Sequence, residues 1–289
     1  MVHRHDAAPT PPPAATVRAN VAAALAEDLG SGDVSAALLD DQPARAWVLC
    51  REAAVIAGRP WFDACFEALD PTAQIDWRVA EGQRVSAGSV LCTVAARTRA
   101  LLSAERSALN FLQLLSATAT ATAAHATLLA GSRTRLLDTR KTLPGLRLAQ
   151  KYAVRCGGGH NHRLGLYDAV MLKENHIAAA GSITAAVARA RARFPALPLI
   201  VEVETLAELD EALAAGCDRI LLDDFDATML REAVCRAGGR VPLEVSGGVA
   251  AEQLPAIAAT GVDCVSVGAL TKHLRAIDLS LRLGEPPDD

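Results

Sequence analysis

The sequence predicts an α/β protein: a small mixed domain followed by a parallel βα array that closes as a barrel. Three observations point there. The chain has 289 residues, beyond the roughly 100–200 of one typical domain. From about Thr134 onward, short β-rich runs alternate at a regular beat with Ala/Leu/Arg-rich helical stretches, the pattern of a parallel sheet. No G-x-G-x-x-G follows the first of these strands, and chemically useful residues stand at the C-terminal end of nearly every one, which favours a barrel over a doubly wound sheet.

Taken in order, residues 1–15, with Pro9, Pro11, Pro12 and Pro13 close together, read as a flexible tail. Residues 16–115 form the first domain. Within it Val17–Leu29, Trp61–Leu69 and Leu101–Leu115 have helical periodicity, while 44–58 and 75–79 read as strands. Residues 116–273 form the barrel. Its strands are Thr134–Leu137, Ala169–Leu172, Leu199–Val203, Arg219–Leu222, Pro242–Val245 and Cys264–Val267, with helices such as Leu206–Ala215, Ala227–Ala237 and Ala251–Ala259 between them. Residues 274–289 are expected to pack back on the first domain.

Composition narrows the function classes. The chain is 51% hydrophobic and 21% charged, with a net charge of −4, so no global pull draws it to nucleic acid or anionic lipid. Aromatics at 3% are too few for base-stacking platforms. The seven scattered cysteines contain no C-x-x-C pair, which argues against both a disulfide framework and a zinc ribbon. The Ala/Thr-rich stretch 114–130 is broken by Ser116, Thr118, Thr120, Thr122, His125 and Thr127, so no membrane span is expected. A cytoplasmic protein follows from these readings.

The densest chemistry runs from Asp138 to His176, where seven Lys/Arg face three acids. Arg140 and Lys141 follow one strand and Lys173 the next, where barrel loops face an active site. A polyanionic ligand fits: arginine grips carboxylate or phosphate with two parallel bonds, and lysine acts as a point charge. Gly157-Gly158-Gly159 permits left-handed backbone or a close approach. His160 and His162 lack a third ligand at metal-site spacing, so hydrogen bonding is the better reading for them. Strand alternation places Glu202 and Glu204 on one face, and sets Asp223 and Asp224 facing opposite ways. Glu202 and Asp223, about one βα unit apart, are either a Mg2+ pair or salt-bridge partners of Lys141 or Lys173. The small residues Ser246-Gly247-Gly248 and Val267-Gly268-Ala269 end the last two strands, where barrels commonly bind phosphate.

With these segments in place the chain resembles the quinolinate phosphoribosyltransferases. The resemblance rests on Asp138-Thr139-Arg140-Lys141-Thr142-x-Pro144-Gly145-Leu146-Arg147, Gly157-Gly158-Gly159-x-Asn161-His162-Arg163, Leu172-Lys173-Glu174-Asn175-His176, Glu202-Val203-Glu204, Leu222-Asp223-x-Phe225, Ser246-Gly247-Gly248 and Val267-Gly268-Ala269-Leu270, extended by Glu105-Arg106-x-Ala108-Leu109-Asn110-Phe111. It implies an incomplete (open) α/β barrel of about seven strands with an N-terminal α/β sandwich domain. It also implies phosphoribosyl transfer from 5-phosphoribosyl 1-pyrophosphate to quinolinate with decarboxylation, giving nicotinate mononucleotide for NAD synthesis. By the same resemblance Arg140, His162 and Arg163 hold the quinolinate carboxylates, joined by Arg106 from the neighbouring subunit of a homodimer, with a hexamer as a larger alternative. Thr139 belongs to the same substrate loop. Lys141 and Lys173 meet phosphates and the transferring ribose, Glu202 and Asp223 bind ribose hydroxyls and Mg2+, and the 246–248 and 267–269 loops cradle the 5-phosphate. Asp224 stands where the family usually carries asparagine. Rival readings are a relative with another acceptor, a different phosphate-binding barrel lyase or isomerase, and a silent dimeric binding module.

Overall fold

Amphipathic helices and alternating strands separate the chain into two units, seen in a computed structural model that describes residues 9–287. Of these, 9–123, 142–158 and 270–287 form one unit, and 124–141 with 159–269 form the other.

In the first unit, α1 (Ala14–Leu29) and α2 (Arg59–Leu69) accompany a four-stranded antiparallel sheet. Its strands are β1 (Pro43–Cys50), β3 (Gln74–Trp77), β5 (Val90–Arg97) and β12 (Leu279–Leu283), in the order β12-β1-β5-β3. The C-terminal strand thus returns to the first, with Cys50 opposite Leu279. The run 44–58, expected as one strand, breaks after Cys50: β2 (Ala54–Val55) pairs instead with β4 (Arg84–Val85). Helix α3 (Thr98–Leu128) continues well past residue 115, where the sequence boundary was set, and α4 (Arg147–Cys156) also belongs to this unit up to Gly158. Of the expected tail, 1–8 lie outside the described residues. From Ala14 the chain is already helical, and the Thr10 carbonyl accepts a bond from Arg155.

All three tryptophans lie here. Trp61, Phe62 and Phe66 are fully buried, each contributing roughly 1.5–3 kcal/mol by area. Phe62 packs against Phe66 at 5.0 Å and edge-on to Trp77 at 5.2 Å. The hydroxyls of α3 serve the backbone: Ser116 Oγ accepts the Ala57 N–H at 3.1 Å, and Thr120 Oγ1 accepts that of Val55 at 2.8 Å. No helix of the described residues is long and apolar enough to cross a membrane.

The second unit holds six parallel strands: β6 (Arg135–Leu137), β7 (Val170–Leu172), β8 (Leu199–Val203), β9 (Arg219–Asp223), β10 (Leu243–Ser246) and β11 (Cys264–Ser266). Their order is β6-β11-β10-β9-β8-β7. From β7 to β11 sequential neighbours pair, and β11 pairs back with β6, as in a barrel. Beyond β6, His160 forms a single parallel bridge to Leu137. This one-residue stave adds a seventh position beside β6, and no strand pairing of the described residues joins it to β7, so the barrel is open there.

Helices α5 (Glu174–Ala180), α6 (Ile183–Arg193), α7 (Leu206–Ala215) and α8 (Ala227–Ala237) connect the strands, followed by a 3-10 turn at 251–253 and α9 (Leu254–Ala258). Short polar caps set where each begins. Thr205 and Glu208 bond each other's backbone N–H at 3.2 Å, and Asp226 Oδ1 accepts from Thr228 and Met229 at 2.8 Å.

Candidate active site at the barrel mouth

The C-terminal ends of the parallel strands carry nearly every residue singled out from the sequence, and the proposed substrate and metal residues other than Arg106 all belong to the second unit. After β6 come Thr139, Arg140 and Lys141. Thr139 Oγ1 accepts the Lys141 N–H at 3.0 Å, folding the loop back on itself. The Lys141 side chain then lies along Gly268, just past β11. A Cβ built there would stand 2.9 Å from Lys141 Cδ and 3.5 Å from Thr139 Oγ1. Glycine at 268 is what admits the lysine.

Next to this loop, the stave at His160 leads into Asn161, His162 and Arg163. Asp138, fully buried, anchors the turn: its carboxylate accepts from Asn161 Nδ2 at 2.6 Å and from the His162 N–H at 2.8 Å. Arg163 Nη1 donates to the Ala169 carbonyl at 3.2 Å. Burial, and then the like charge of Arg140, push the Arg163 guanidinium below its usual pKa. Two guanidiniums close enough to repel, with no ion pair formed by Arg140 among the described residues, make a site that gains stability from an anion.

On the opposite flank Lys173 Nζ donates to Glu202 Oε2 at 2.6 Å. The Lys173 backbone is itself held by His176, whose Nδ1 accepts its N–H at 3.2 Å. Glu202 is 8% exposed on β8. Burial raises its pKa, Lys173 works against that, and Asp223 raises it again. Lys173, Glu202 and Asp223 therefore feel one another. Asp223 ends β9 in register with Ser246, which ends β10.

Two expectations from strand alternation are corrected. Glu204 does not share a face with Glu202, because β8 stops at Val203 and the Glu204 N–H turns to the cap carboxylate of Glu208 at 2.8 Å. Asp223 and Asp224 do not face opposite ways. Asp224 is the one described non-glycine residue with positive φ, 55°, and that turn breaks the alternation. A Cβ built on Gly247 would stand 2.7 Å from Asp224 Oδ1 and 3.0 Å from Asp223 Oδ1, so both carboxylates reach the same loop. Asparagine and aspartate are the side chains that best tolerate this backbone, which accounts for either residue at the position.

The Gly157–Gly159 turn does not approach a ligand at its first residue. A Cβ at Gly157 would meet the Ala119 carbonyl at 2.4 Å, so glycine is required for α4 to lie against α3. Arg106 is exposed on α3 in the first unit, without an ionic or hydrogen-bonding partner among the described residues. Asp138, Asn161, His176 and Glu244 were given no role from the sequence. An acid within or directly after an apolar strand, as at Glu244 and Asp138, is the signal that could have found two of them.

The described residues contain no cluster of three or more His, Cys, Asp or Glu placed to hold a metal by themselves. Glu202, Asp223 and Asp224 fit a different arrangement. Mg2+ takes one or two carboxylates with the remaining positions filled by water and phosphate oxygens.

Comparison with known proteins agrees with this geometry. Residues 118–282 match the quinolinate phosphoribosyl transferase C-terminal domain and 33–116 its N-terminal domain. The chain is 46% identical over 241 residues to a nicotinate-nucleotide pyrophosphorylase [carboxylating] of Mycobacterium leprae, covering 81% of this chain and 84% of that protein. It is 45% identical over 267 residues to a probable enzyme of the same name from Synechocystis, covering 90% of each. The solved nicotinate-nucleotide pyrophosphorylase from Francisella tularensis superimposes with a TM-score of 0.91 at 44% identity, over 97% of this chain and 100% of that one.

Proposed function

Because the chain belongs to the quinolinate phosphoribosyltransferase family, we propose that it transfers the phosphoribosyl group of 5-phosphoribosyl 1-pyrophosphate to quinolinate. The products are nicotinate mononucleotide, CO2 and pyrophosphate, a step of NAD synthesis. The observation that carries this reading is the gathering of Arg140 and Arg163, near enough for the charge of one to act on the other, at the strand ends that also carry Lys173 bound to Glu202 at 2.6 Å and Asp223.

In the transfer the bond from ribose C1 to the pyrophosphate oxygen breaks, its electron pair leaving with pyrophosphate, while the pyridine nitrogen forms the new bond to C1. Arg140 and Arg163 grip the two carboxylates and aim that nitrogen, and alignment alone removes a large part of such a barrier. Lys141, lying on Gly268, and Lys173 offset phosphate charge. Glu202 and Asp223 take the ribose hydroxyls, and the 246–248 and 267–269 loops seat the 5-phosphate. Glu202 and Asp223 would hold magnesium together with substrate oxygens, and the ion would supply charge neutralisation for the leaving group. Once ribosylated, the ring nitrogen is cationic and accepts the electron pair left when the adjacent carboxylate departs as CO2. A proton then replaces it on that carbon. No residue need form a covalent bond to substrate.

The finer assignments extend this reading. Arg106 serves the neighbouring active site of a homodimer, supported by its exposure and lack of partner among the described residues. A cytoplasmic setting is supported by seven free cysteines. The decisive assay incubates the protein with phosphoribosyl pyrophosphate, Mg2+ and carboxyl-labelled quinolinate. Equal amounts of CO2 and mononucleotide are expected; turnover of nicotinate with no CO2 from quinolinate overturns the reading. Mixing inactive Arg106→Ala with inactive Lys141→Ala should restore activity if subunits share sites, and no recovery would place each site within one chain.

A further inference from the structure

From Thr139 to Leu146 the chain has neither helix nor strand, so side chains supply the fixed points of this segment. Thr142 Oγ1 accepts from Arg147 Nε at 3.1 Å, and the Gly145 carbonyl accepts from Asn20 Nδ2 at 3.1 Å. A third fixed point reaches further. Gln150 on α4 is fully buried. Its Oε1 accepts the Leu143 N–H at 2.8 Å, and its Nε2 donates at 2.9 Å to the carbonyl of Thr271 in α10 (Ala269–Lys272). These partners settle which way the amide points, since the opposite orientation would set two donors together at one end and two acceptors at the other.

Both bonds lie within the first unit, and each partner stands just inside a point where the chain enters that unit. Lys141 is two residues before Leu143, and Gly268 is three before Thr271. These are the two residues that meet in the barrel unit, where the lysine stem lies along the glycine. One buried amide therefore ties the downstream end of the loop that carries Lys141 to that of the loop that admits it. A neutral group suits the task, because a charge at this depth would need a counter-charge, whereas an amide meets one N–H and one C=O with both of its own groups satisfied. Leu143 is 37% exposed, so without Gln150 its N–H would turn to water and the segment after Lys141 would lose that anchor.

We propose that Gln150 is a positioning residue for Lys141: by bridging Leu143 to Thr271 it fixes where the two loops rejoin the first unit, and so keeps the lysine on Gly268, ready for a phosphate of 5-phosphoribosyl 1-pyrophosphate. This rests on the reading of the barrel mouth as a phosphoribosyl site. Gln150→Met keeps the length and nearly the volume of the side chain and removes both bonds. In the full-length protein without ligand, amide hydrogen exchange should become about tenfold faster at 142–146 and at 270–273 together, with α3 unchanged. No change at either segment, or a change confined to one, overturns the bridge. Binding of phosphoribosyl pyrophosphate with Mg2+, followed by calorimetry, should weaken about tenfold in Gln150→Met, but by less than about twofold when the same change is made in Lys141→Ala. An equal loss in both backgrounds marks a general effect on the fold and overturns the role assigned through Lys141, as does no loss at all. Where the methionine variant does not fold, Gln150→Asn, one methylene shorter and able to meet one partner at most, carries the binding measurements in both backgrounds. Should wild-type protein bind no phosphoribosyl pyrophosphate, the functional reading falls, while exchange in the absence of ligand still decides the bridge.

Discussion

The two units hold one pair of desolvated glutamates, Glu81 and Glu202, in opposite ways. In the first, Glu81 is a half-buried carboxylate whose oxygens accept the backbone N–H groups of Gly58 and Arg59 at 2.7–3.2 Å, closing the N-terminus of α2. Its partners are fixed by the fold and cannot be exchanged. In the second, Glu202 is met by a lysine that is 44% exposed, and Arg163 by another arginine. These partners can be displaced by, or completed by, a ligand. Burial raises both carboxyls, so burial alone does not mark a functional acid. What distinguishes Glu202 from Glu81 is that its partner is a partly exposed side chain instead of backbone amides.

The sharpest way to break this contrast is Arg140→Ala, which should lower kcat/KM by at least about 100-fold, the cost of misplacing a substrate. Because Arg140 is exposed, Tm should not move. Near wild-type rates would show that the guanidinium pair is not the anion site.

Lys173→Ala should come next, with a loss on the order of tenfold in kcat/KM from one missing charge contact and a changed pH profile. Lys173 is what lowers Glu202 against burial and Asp223. Without it the carboxyl rises further, so the acidic limb of the rate profile should shift to higher pH. An unmoved limb would mean that the ionised form of Glu202 is not required.

In the first unit a substitution should change stability and leave the rate alone. Asp63 accepts from Trp77 Nε1 at 2.8 Å, and burial lifts its pKa from 3.8 to about 6. Its contribution to stability is fully present below the unfolded value and is lost as pH rises through the folded one. Asp63→Asn keeps an acceptor for Trp77 and should therefore be more stable than wild type above about pH 6, by on the order of 1–3 kcal/mol, with the gain vanishing near pH 3.5. Thermal melts across pH test this; a gain equal at all pH values would contradict it. The smallest effect expected is that of Cys156→Ser. The thiol is buried 3.6 Å from Glu81, and burial and that carboxyl push its pKa far up, so it is no nucleophile. Turnover should stay within about twofold, and a dead variant would tie the first unit to the chemistry.

Local chemistry made much of this readable in advance. The strands at 199–203 and 219–223 and the helices at 206–215 and 227–237 follow from periodicity and caps that neighbouring residues supply themselves. The loops after the strands, carrying Arg140, Lys173, Glu202 and Asp223, were legible because a barrel delivers strand ends to one mouth. Less readable was anything set by a partner distant in sequence. The break after Cys50 depends on β4, and the length of α3 on hydroxyls that bind residues 55 and 57.

The sequence by itself determined the βα order, the charges at the strand ends and the family, since each rests on residue identity at short spacing. Only the tertiary structure decided that Asp224 turns back beside Asp223, that Gly157 serves helix packing, and that His162 is enclosed between Glu244 and the Arg163 backbone. The physical reason is that direction and proton placement depend on what a side chain meets across the barrel. Those neighbours stand tens of residues away along the chain, where no local pattern records them.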